Sequence, residues 1–132
     1  MNANRQEADR WLTQAQHDLR AAVLNRRESF PEIACFLAQQ AAEKALRAFL
    51  YAQGTQIVTD HAVHLLARAC ATYNPSFVAL EEACRSLDQY YLPTRYPDGL
   101  PGGIPHEVYT DAQAREATKV AQEVVDLVAR SL

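Results

Sequence analysis

The sequence predicts an all-α fold, a five-helix up-and-down bundle that forms a single domain over residues 1–132. Apolar residues recur every three or four positions along most of the chain, which is the period of an α-helix. No pair of alternating apolar and polar runs joined by a tight turn is present, so a sheet is not expected. A length of 132 residues suits one domain with one core, and short connections make successive helices antiparallel.

The first helix is predicted over residues 5–27, where apolar side chains follow one face from Ala8 to Val23. The second starts at Pro31, because proline is favourable in the first turn of a helix, where its missing N–H costs nothing. Gly54 is the expected stop. Alanines dominate the segment 34–48, and their small side chains allow neighbouring helices to approach closely. We therefore expect this helix to be the central one.

The third helix is predicted to run from His61 to Tyr73, with Thr59 or Asp60 as its N-cap. It ends because the dipeptide Asn74-Pro75 disfavours a helical conformation.

The fourth helix is predicted to start at Ser76 and to end near Pro93, and the fifth to start within 107–110 and to continue to the C-terminus. The loop between them, residues 93–106, holds three of the 4 glycines and four of the 6 prolines. Loops of this length without secondary structure are uncommon in compact domains and are usually functional or disordered. Because proline rings stiffen the backbone, we expect an ordered functional loop.

Composition excludes several classes of protein. The net charge is −3, so no global basic field attracts nucleic acid, and any such contact must be local. No apolar run is long enough to span a membrane, and the N-terminus lacks the apolar core of a signal peptide, which predicts a cytoplasmic protein. The odd, widely spaced cysteines Cys35, Cys70 and Cys84 indicate reduced core thiols rather than a disulfide framework or a metal site.

Three segments together resemble the HEPN domain family (higher eukaryotes and prokaryotes nucleotide-binding). They are the alanine-rich helix 34–50, the helix start at His61, and the stretch 91–98 (Tyr-Leu-Pro-Thr-Arg-Tyr-Pro-Asp); the segment 109–112 at the start of the last helix fits as well. The resemblance implies a five-helix α fold that commonly dimerises. It also implies that bacterial and archaeal members are often paired with a minimal nucleotidyltransferase encoded beside them, and that some members are RNases or toxins.

The resemblance leads us to expect an accessory protein that binds a nucleotide or nucleic acid, acts as a homodimer and pairs with a nucleotidyltransferase in a toxin–antitoxin-like system. The alternative is a metal-independent RNase toxin that uses Arg95 and His106. RNase-type members carry an arginine four to six residues ahead of a histidine, whereas ten residues separate Arg95 from His106 here. That spacing favours a role without catalysis. A second alternative is a helical adaptor with no ligand.

Arg95 is the main candidate for ligand binding, because a guanidinium binds phosphate bidentately and the ring of Tyr96 beside it can stack on a base. The other interpretation is that Arg95 pairs with Asp98 or Asp88 and simply fixes the loop. The remaining candidates for nucleotide contacts are Asp98, Lys44 and Gln40. We predict no cofactor.

Tyr90, Tyr91 and Tyr109 are candidate residues of a dimer interface, with burial in the core as the alternative for such tyrosines. His61 and His64 are three residues apart and are able to ligate a metal. No third ligand accompanies them at a convincing spacing, so no metal site is predicted.

Overall fold

The computed structural model describes residues 3–55 and 61–132. Its α-helices follow in chain order: α1 (Ala3–Arg27), α2 (Pro31–Ala52), α3 (Val63–Ala71), α4 (Val78–Leu87), α5 (Pro105–Val108) and α6 (Asp111–Ser131). The described residues contain no β-strand, which confirms the all-α prediction. None of the helices in these two ranges combines the length and the apolar character that a membrane crossing requires.

The predicted loop contains local helical structure. A 3₁₀ turn covers Pro97–Gly99, and the one-turn helix α5 adds a sixth helix to the five expected. Proline stands at the first position of both elements, where its fixed φ favours a helical turn. The extended backbone of Tyr109 then ends α5.

Helix α2 lies at the centre of the bundle and packs against α1, α3 and α6. Six of its seven alanines are completely buried: Ala34, Ala38, Ala41, Ala42, Ala45 and Ala48. With so little side-chain volume on α2, the backbones of its neighbours come close to it. Larger side chains such as Leu46, Phe77 and Val124 fill the remaining core.

Most helix ends follow the local signals of the sequence. Pro31 lies in the first turn of α2, and Gly54 adopts a φ of 79° just after its last turn, a left-handed conformation that glycine tolerates best. Thr110 caps α6 through a capping box in which its side chain accepts from the Gln113 N–H while Gln113 accepts from the Thr110 N–H.

The ends of α3 and α4 differ from the prediction. The carboxamide oxygen of Asn74 accepts from the Ser76 N–H, so Asn74 rather than Ser76 is the cap in this connection. Helix α4 gives way after Leu87 to a 3₁₀ turn, Asp88–Tyr90, several residues before Pro93.

Asp88 also stabilises the start of α3, since its Oδ1 accepts from the Val63 N–H at 2.5 Å. A carboxylate is favourable at the positive end of a helix. The predicted caps Thr59 and Asp60 lie outside the described residues. Among the described residues, the carboxylate at the start of α3 is that of Asp88, which follows α4 in the chain.

The three cysteines lie in the core as free thiols. Burial raises the pKa of Cys35 and of Cys84 to about 12, because a thiolate is poorly solvated there, and raises the pKa of Cys70 as well. Cys35 is also hydrogen-bonded to Tyr90, whose burial raises its own pKa to about 12.

These thiols should make the protein less stable in alkaline solution. In the unfolded chain a cysteine ionises near pH 8.5, whereas Cys35 and Cys84 stay protonated in the fold, so the unfolded state binds fewer protons as the pH rises. Each buried thiol then removes up to about 1.4 kcal/mol of stability per pH unit above that value. The urea concentration at the unfolding midpoint should decrease as the pH is raised from 8 to 9.5. The decrease should be smaller in Cys84→Ala, which has one buried thiol fewer. A constant midpoint would contradict this prediction.

Candidate functional site

Arg95 lies on the protein surface with its guanidinium packed over aromatic rings. Its Cζ is 4.4 Å from the ring centre of Phe36 on α2, 5.1 Å from that of Tyr91 and 5.6 Å from that of Tyr96. Cation–π attraction at such distances contributes roughly 0.5–1 kcal/mol per exposed contact. The three rings restrict the guanidinium to one region of the surface.

The backbone around Arg95 restricts it further. The Arg95 N–H donates to the Leu92 carbonyl at 3.0 Å, and the buried hydroxyl of Thr94 donates to the Tyr90 carbonyl at 2.8 Å, so the chain turns tightly here. The side-chain Nε–H donates to the Tyr91 carbonyl at 3.0 Å. One of the five guanidinium donors is therefore used internally.

No carboxylate neutralises Arg95 within the described ranges. Asp88, one of the two predicted partners, binds His64 Nδ1 and the Val63 N–H instead. Asp98, the other, is exposed on the following 3₁₀ turn and forms no ion pair with Arg95. The guanidinium thus keeps its charge and its Nη donors available to solvent.

His106 lies on α5 and forms no hydrogen bond or ring contact with Arg95. Its Nδ1 lies 3.0 Å from Oε1 of the largely buried Glu32 on α2, and its ring centre is 5.8 Å from that of Phe30. Glu32 and Phe36 are four residues apart on α2, so they are neighbours on one face of the helix. His106 and Arg95 therefore dock on successive turns of α2, each through its own contact.

A row of buried polar side chains continues along α2 at a spacing of four residues. Gln39, Glu43 and Arg47 are 0%, 6% and 7% exposed. Gln39 Nε2 donates to Glu43 Oε1 and Arg47 Nε donates to Glu43 Oε2, both at 3.1 Å. His61 Nδ1 lies 2.9 Å from Glu43 Oε2, so an imidazole just before α3 is attached to the same carboxylate.

Tyr91 joins this row to Arg95. Its ring stacks on that of His61, with centres 4.5 Å apart and planes 18° apart, and its hydroxyl lies 3.3 Å from His61 Nε2. The Tyr91 carbonyl accepts from Arg95, as described above. Glu43, His61, Tyr91 and Arg95 therefore form one continuous set of contacts from the core to the surface.

Two predicted ligand contacts lie elsewhere. Lys44 Nζ forms an ion pair with Asp18 Oδ2 on α1 at 2.5 Å, beside an open groove of about 690 Å³ that Trp11 also lines. Gln40 donates to the Gln39 side-chain oxygen at 2.7 Å. Neither side chain contacts Arg95.

The predicted interface tyrosines fall into two groups. Tyr90 is only 4% exposed, and its ring packs edge-on against that of the partly buried Tyr109 with centres 5.9 Å apart. The structure thus places both within the chain's own packing. The third, Tyr91, is partly exposed. Tyr96, a candidate for ligand binding, is 56% exposed.

The metal alternative finds no support in the geometry, because His61 and His64 bind different carboxylates, Glu43 and Asp88, and do not converge. Residues 3–55 and 61–132 contain no group of three or more His, Cys, Asp or Glu placed to hold a metal ion.

The HEPN domain model matches residues 8–131, nearly the whole chain. The chain belongs to the HEPN domain family. Among solved structures, TT1696 from Thermus thermophilus is similar, with 39% identity, a TM-score of 0.83, and coverage of 96% of this chain and 98% of that one. ST0689, described as an archaeal HEPN homologue, has 33% identity, a TM-score of 0.78, and coverage of 95% and 97%. No curated protein sequence matches the chain.

In this HEPN domain, the sequence singles out Arg95 and Tyr96 as candidates but not the residues that contact them. Phe36 has the pattern of an ordinary apolar helix position, and nothing in the sequence sets Arg47 apart. One feature of the sequence does point to the polar cluster, namely the four-residue spacing of Gln39, Glu43 and Arg47 in an otherwise alanine-rich segment. Residues at this spacing are neighbours on one face of a helix, and buried polar side chains are hydrogen-bonded.

Proposed function

We propose that this HEPN domain binds the phosphate of a nucleotide or a nucleic acid through Arg95. The observation that carries the proposal is an exposed guanidinium, held over three aromatic rings and a carbonyl, with no carboxylate partner in the described part of the chain. The net charge of −3 makes this a local site rather than a broad basic surface.

The geometry suits phosphate for two reasons. A guanidinium that is already oriented loses little conformational freedom on binding, so more of the interaction energy appears as affinity. The exposed ring of Tyr96 lies next to it and offers a face on which a base stacks, which contributes about 1–3 kcal/mol per base in single-strand binders. The exposed carboxylate of Asp98 is positioned one turn further on to accept from a sugar hydroxyl or base N–H. Lys44 and Gln40 are outside this proposal, because their side chains contact Asp18 and Gln39.

Arg95→Ala should weaken the binding of a labelled single-stranded RNA hexamer or of ATP by about 10- to 100-fold, because charge-assisted hydrogen bonds to phosphate are worth about 1.5–3 kcal/mol. Fluorescence anisotropy at several salt concentrations measures this loss of affinity. The plot of the logarithm of the association constant against the logarithm of the salt concentration should become less steep by about 1. Arg95→Lys should recover only part of the affinity, since lysine lacks the planar fork.

The matched control is Arg115→Ala, which removes an exposed arginine from α6 and should leave the affinity unchanged. Equal affinity of the Arg95→Ala variant and the original protein would refute the proposal. An absence of any saturable binding would leave the helical adaptor without a ligand as the remaining interpretation.

A second candidate function, a metal-independent RNase, is favoured by one observation at His106. Glu32 holds its Nδ1, which leaves Nε2 of a half-exposed imidazole facing outward, one helical turn of α2 from the Arg95 contact. In that reaction Nε2 would take the proton of a ribose 2′-hydroxyl. The 2′-oxygen then bonds to phosphorus, the bond to the 5′-oxygen breaks, and the leaving 5′-oxygen takes a proton from water, while Arg95 stabilises the charge on the phosphoryl oxygens.

We expect binding without cleavage, because Arg95 and His106 are anchored separately, on Phe36 and on Glu32. RNA incubated with the protein in excess chelator should stay intact on a denaturing gel. Cleavage that disappears in both Arg95→Ala and His106→Ala, and persists in the control His17→Ala on the exposed face of α1, would instead establish the RNase function.

We also propose that the protein acts as a homodimer through the surface around the loop. Members of the family often dimerise, and several apolar side chains of the chain's 92–108 segment are exposed: Leu92, Tyr96, Ile104 and Val108. A two-fold interface uses the same patch on both copies, so it would bring two Arg95 guanidinium groups to one cleft.

Light scattering at micromolar concentration should give a mass near twice the 14.8 kDa of one chain. Ile104→Asp should shift the protein toward the monomer, because it places a charge in the apolar patch. Leu24→Asp, which changes an apolar residue on α1 that is also exposed, should not. A wild-type monomer would contradict the dimer.

A minimal nucleotidyltransferase is the partner that we propose for this dimer, in a toxin–antitoxin-like pair. The support is membership of the HEPN family, whose bacterial and archaeal members are often encoded beside such a protein.

A further inference from the structure

Glu43 is a buried carboxylate with three donors. Gln39 and Arg47 donate to it from the preceding and following turns of α2, and His61 approaches from the start of α3. Burying a charge is costly unless it is paired and fully hydrogen-bonded.

This cluster fixes the state of the His61 ring. An ionised carboxylate only accepts hydrogen bonds, so His61 Nδ1 carries the proton that it donates to Glu43. An imidazole with its proton on Nδ1 carries its lone pair on Nε2, which then acts as a hydrogen-bond acceptor.

His61 Nε2 is in the right place to meet a ligand of Arg95. The His61 side chain is half exposed, and Tyr91 lies between the two residues, 4.5 Å from the His61 ring centre and 5.1 Å from Arg95 Cζ. The hydroxyl of Tyr91 is 3.3 Å from Nε2, which is long for a hydroxyl donor. A better donor from the ligand would replace it at little cost.

We propose that His61 Nε2 accepts a hydrogen bond from the ribose 2′-hydroxyl of the ligand whose phosphate Arg95 binds, and that the site thereby selects ribonucleotides over deoxyribonucleotides. Glu43 is the positioning residue that holds the imidazole in the accepting tautomer. This inference rests on the proposed phosphate-binding function. The ligand is a ribose phosphate, either a free nucleotide or a unit of a single RNA strand.

The test compares ligands that differ only in the 2′-hydroxyl, which is the group that distinguishes RNA from DNA. ATP is paired with dATP, and a labelled uridine hexamer with its deoxyuridine counterpart, all at pH 8, where imidazole side chains are ordinarily neutral. The ribose form should bind about 3- to 10-fold more tightly, the range that one neutral hydrogen bond supplies. A preference seen with ATP alone identifies a free nucleotide as the ligand, and one seen with the hexamer identifies RNA.

His61→Phe is the central variant, because phenylalanine keeps the stack on Tyr91 and removes both ring nitrogens. It should bind ribose and deoxyribose ligands equally, while the control His17→Phe keeps the preference. Arg95→Ala should weaken both ligands by the same factor and leave their ratio intact. Binding without any ribose preference in the original protein would overturn this inference and leave phosphate binding standing, whereas no binding at all would remove the proposed function.

Two further variants separate reading of the sugar from simple support of the fold. Glu43→Gln should release the tautomer, which ¹⁵N NMR of the His61 ring detects as loss of the Nδ1-protonated form, and should lower the ribose preference. Glu43→Gln also removes the carboxylate that pairs with Arg47, so circular dichroism is used to check that this variant folds. If Glu43→Gln does not fold, His61→Phe decides the test. Tyr91→Phe should retain the preference. Its loss there, with His61 intact, would show that Tyr91 reads the sugar and would overturn the assignment.

Discussion

The buried carboxylate of Glu43 connects the centre of this bundle to its surface. Without its donors, an ionised group at this depth would be strongly destabilising, so the fold must bring Arg47, Gln39 and His61 to it. That requirement fixes the start of α3 against the middle of α2. The adjacent contact between the Val63 N–H and Asp88 then fixes the end of α4 against the start of α3. The turn that carries Arg95 follows directly, so its position depends on a charge buried in another helix.

The same device, an imidazole held by a carboxylate through Nδ1, recurs at three places. His61 binds Glu43, His64 binds Asp88, and His106 binds Glu32, and each pair joins segments that are distant in sequence. The three pairs lie along the seam between α2, α3 and the region after α4. In each, the carboxylate selects one tautomer and directs Nε2 away from it. These pairs therefore hold the segments of the seam together and also orient three imidazole rings. Arg95 lies near two of them, His61 on the other side of Tyr91 and His106 one turn away on α2.

The fold was readable from the sequence because its signals are local, and the site was only partly readable because its contacts are not. Pro31, Gly54 and Thr110 act through their own backbone geometry, so their neighbours in sequence suffice to interpret them. Tyr90 and Tyr91 are adjacent and chemically identical, yet a 3₁₀ turn ending at Tyr90 directs one ring into the core and leaves the other on the surface. Glu43 and Lys44 diverge for the same reason, since consecutive helical residues point about 100° apart and the sequence does not say which direction meets α3.

The loop 93–106, rich in proline and glycine, contacts helix α2 at both of its ends. Arg95 near its start packs over Phe36, and His106 near its finish binds Glu32, one turn away on α2. Because Arg95 and His106 contact adjacent turns of α2, the segment between them must fold back on itself. Gly99 permits this, because a Cβ there would lie 3.1 Å from the Cα of Pro93. Gly103 adopts a φ of 73°, a left-handed conformation that glycine tolerates best. The ten residues that separate the arginine from the histidine in sequence therefore place the two on neighbouring turns of the same helix, where each is held by its own contact with α2.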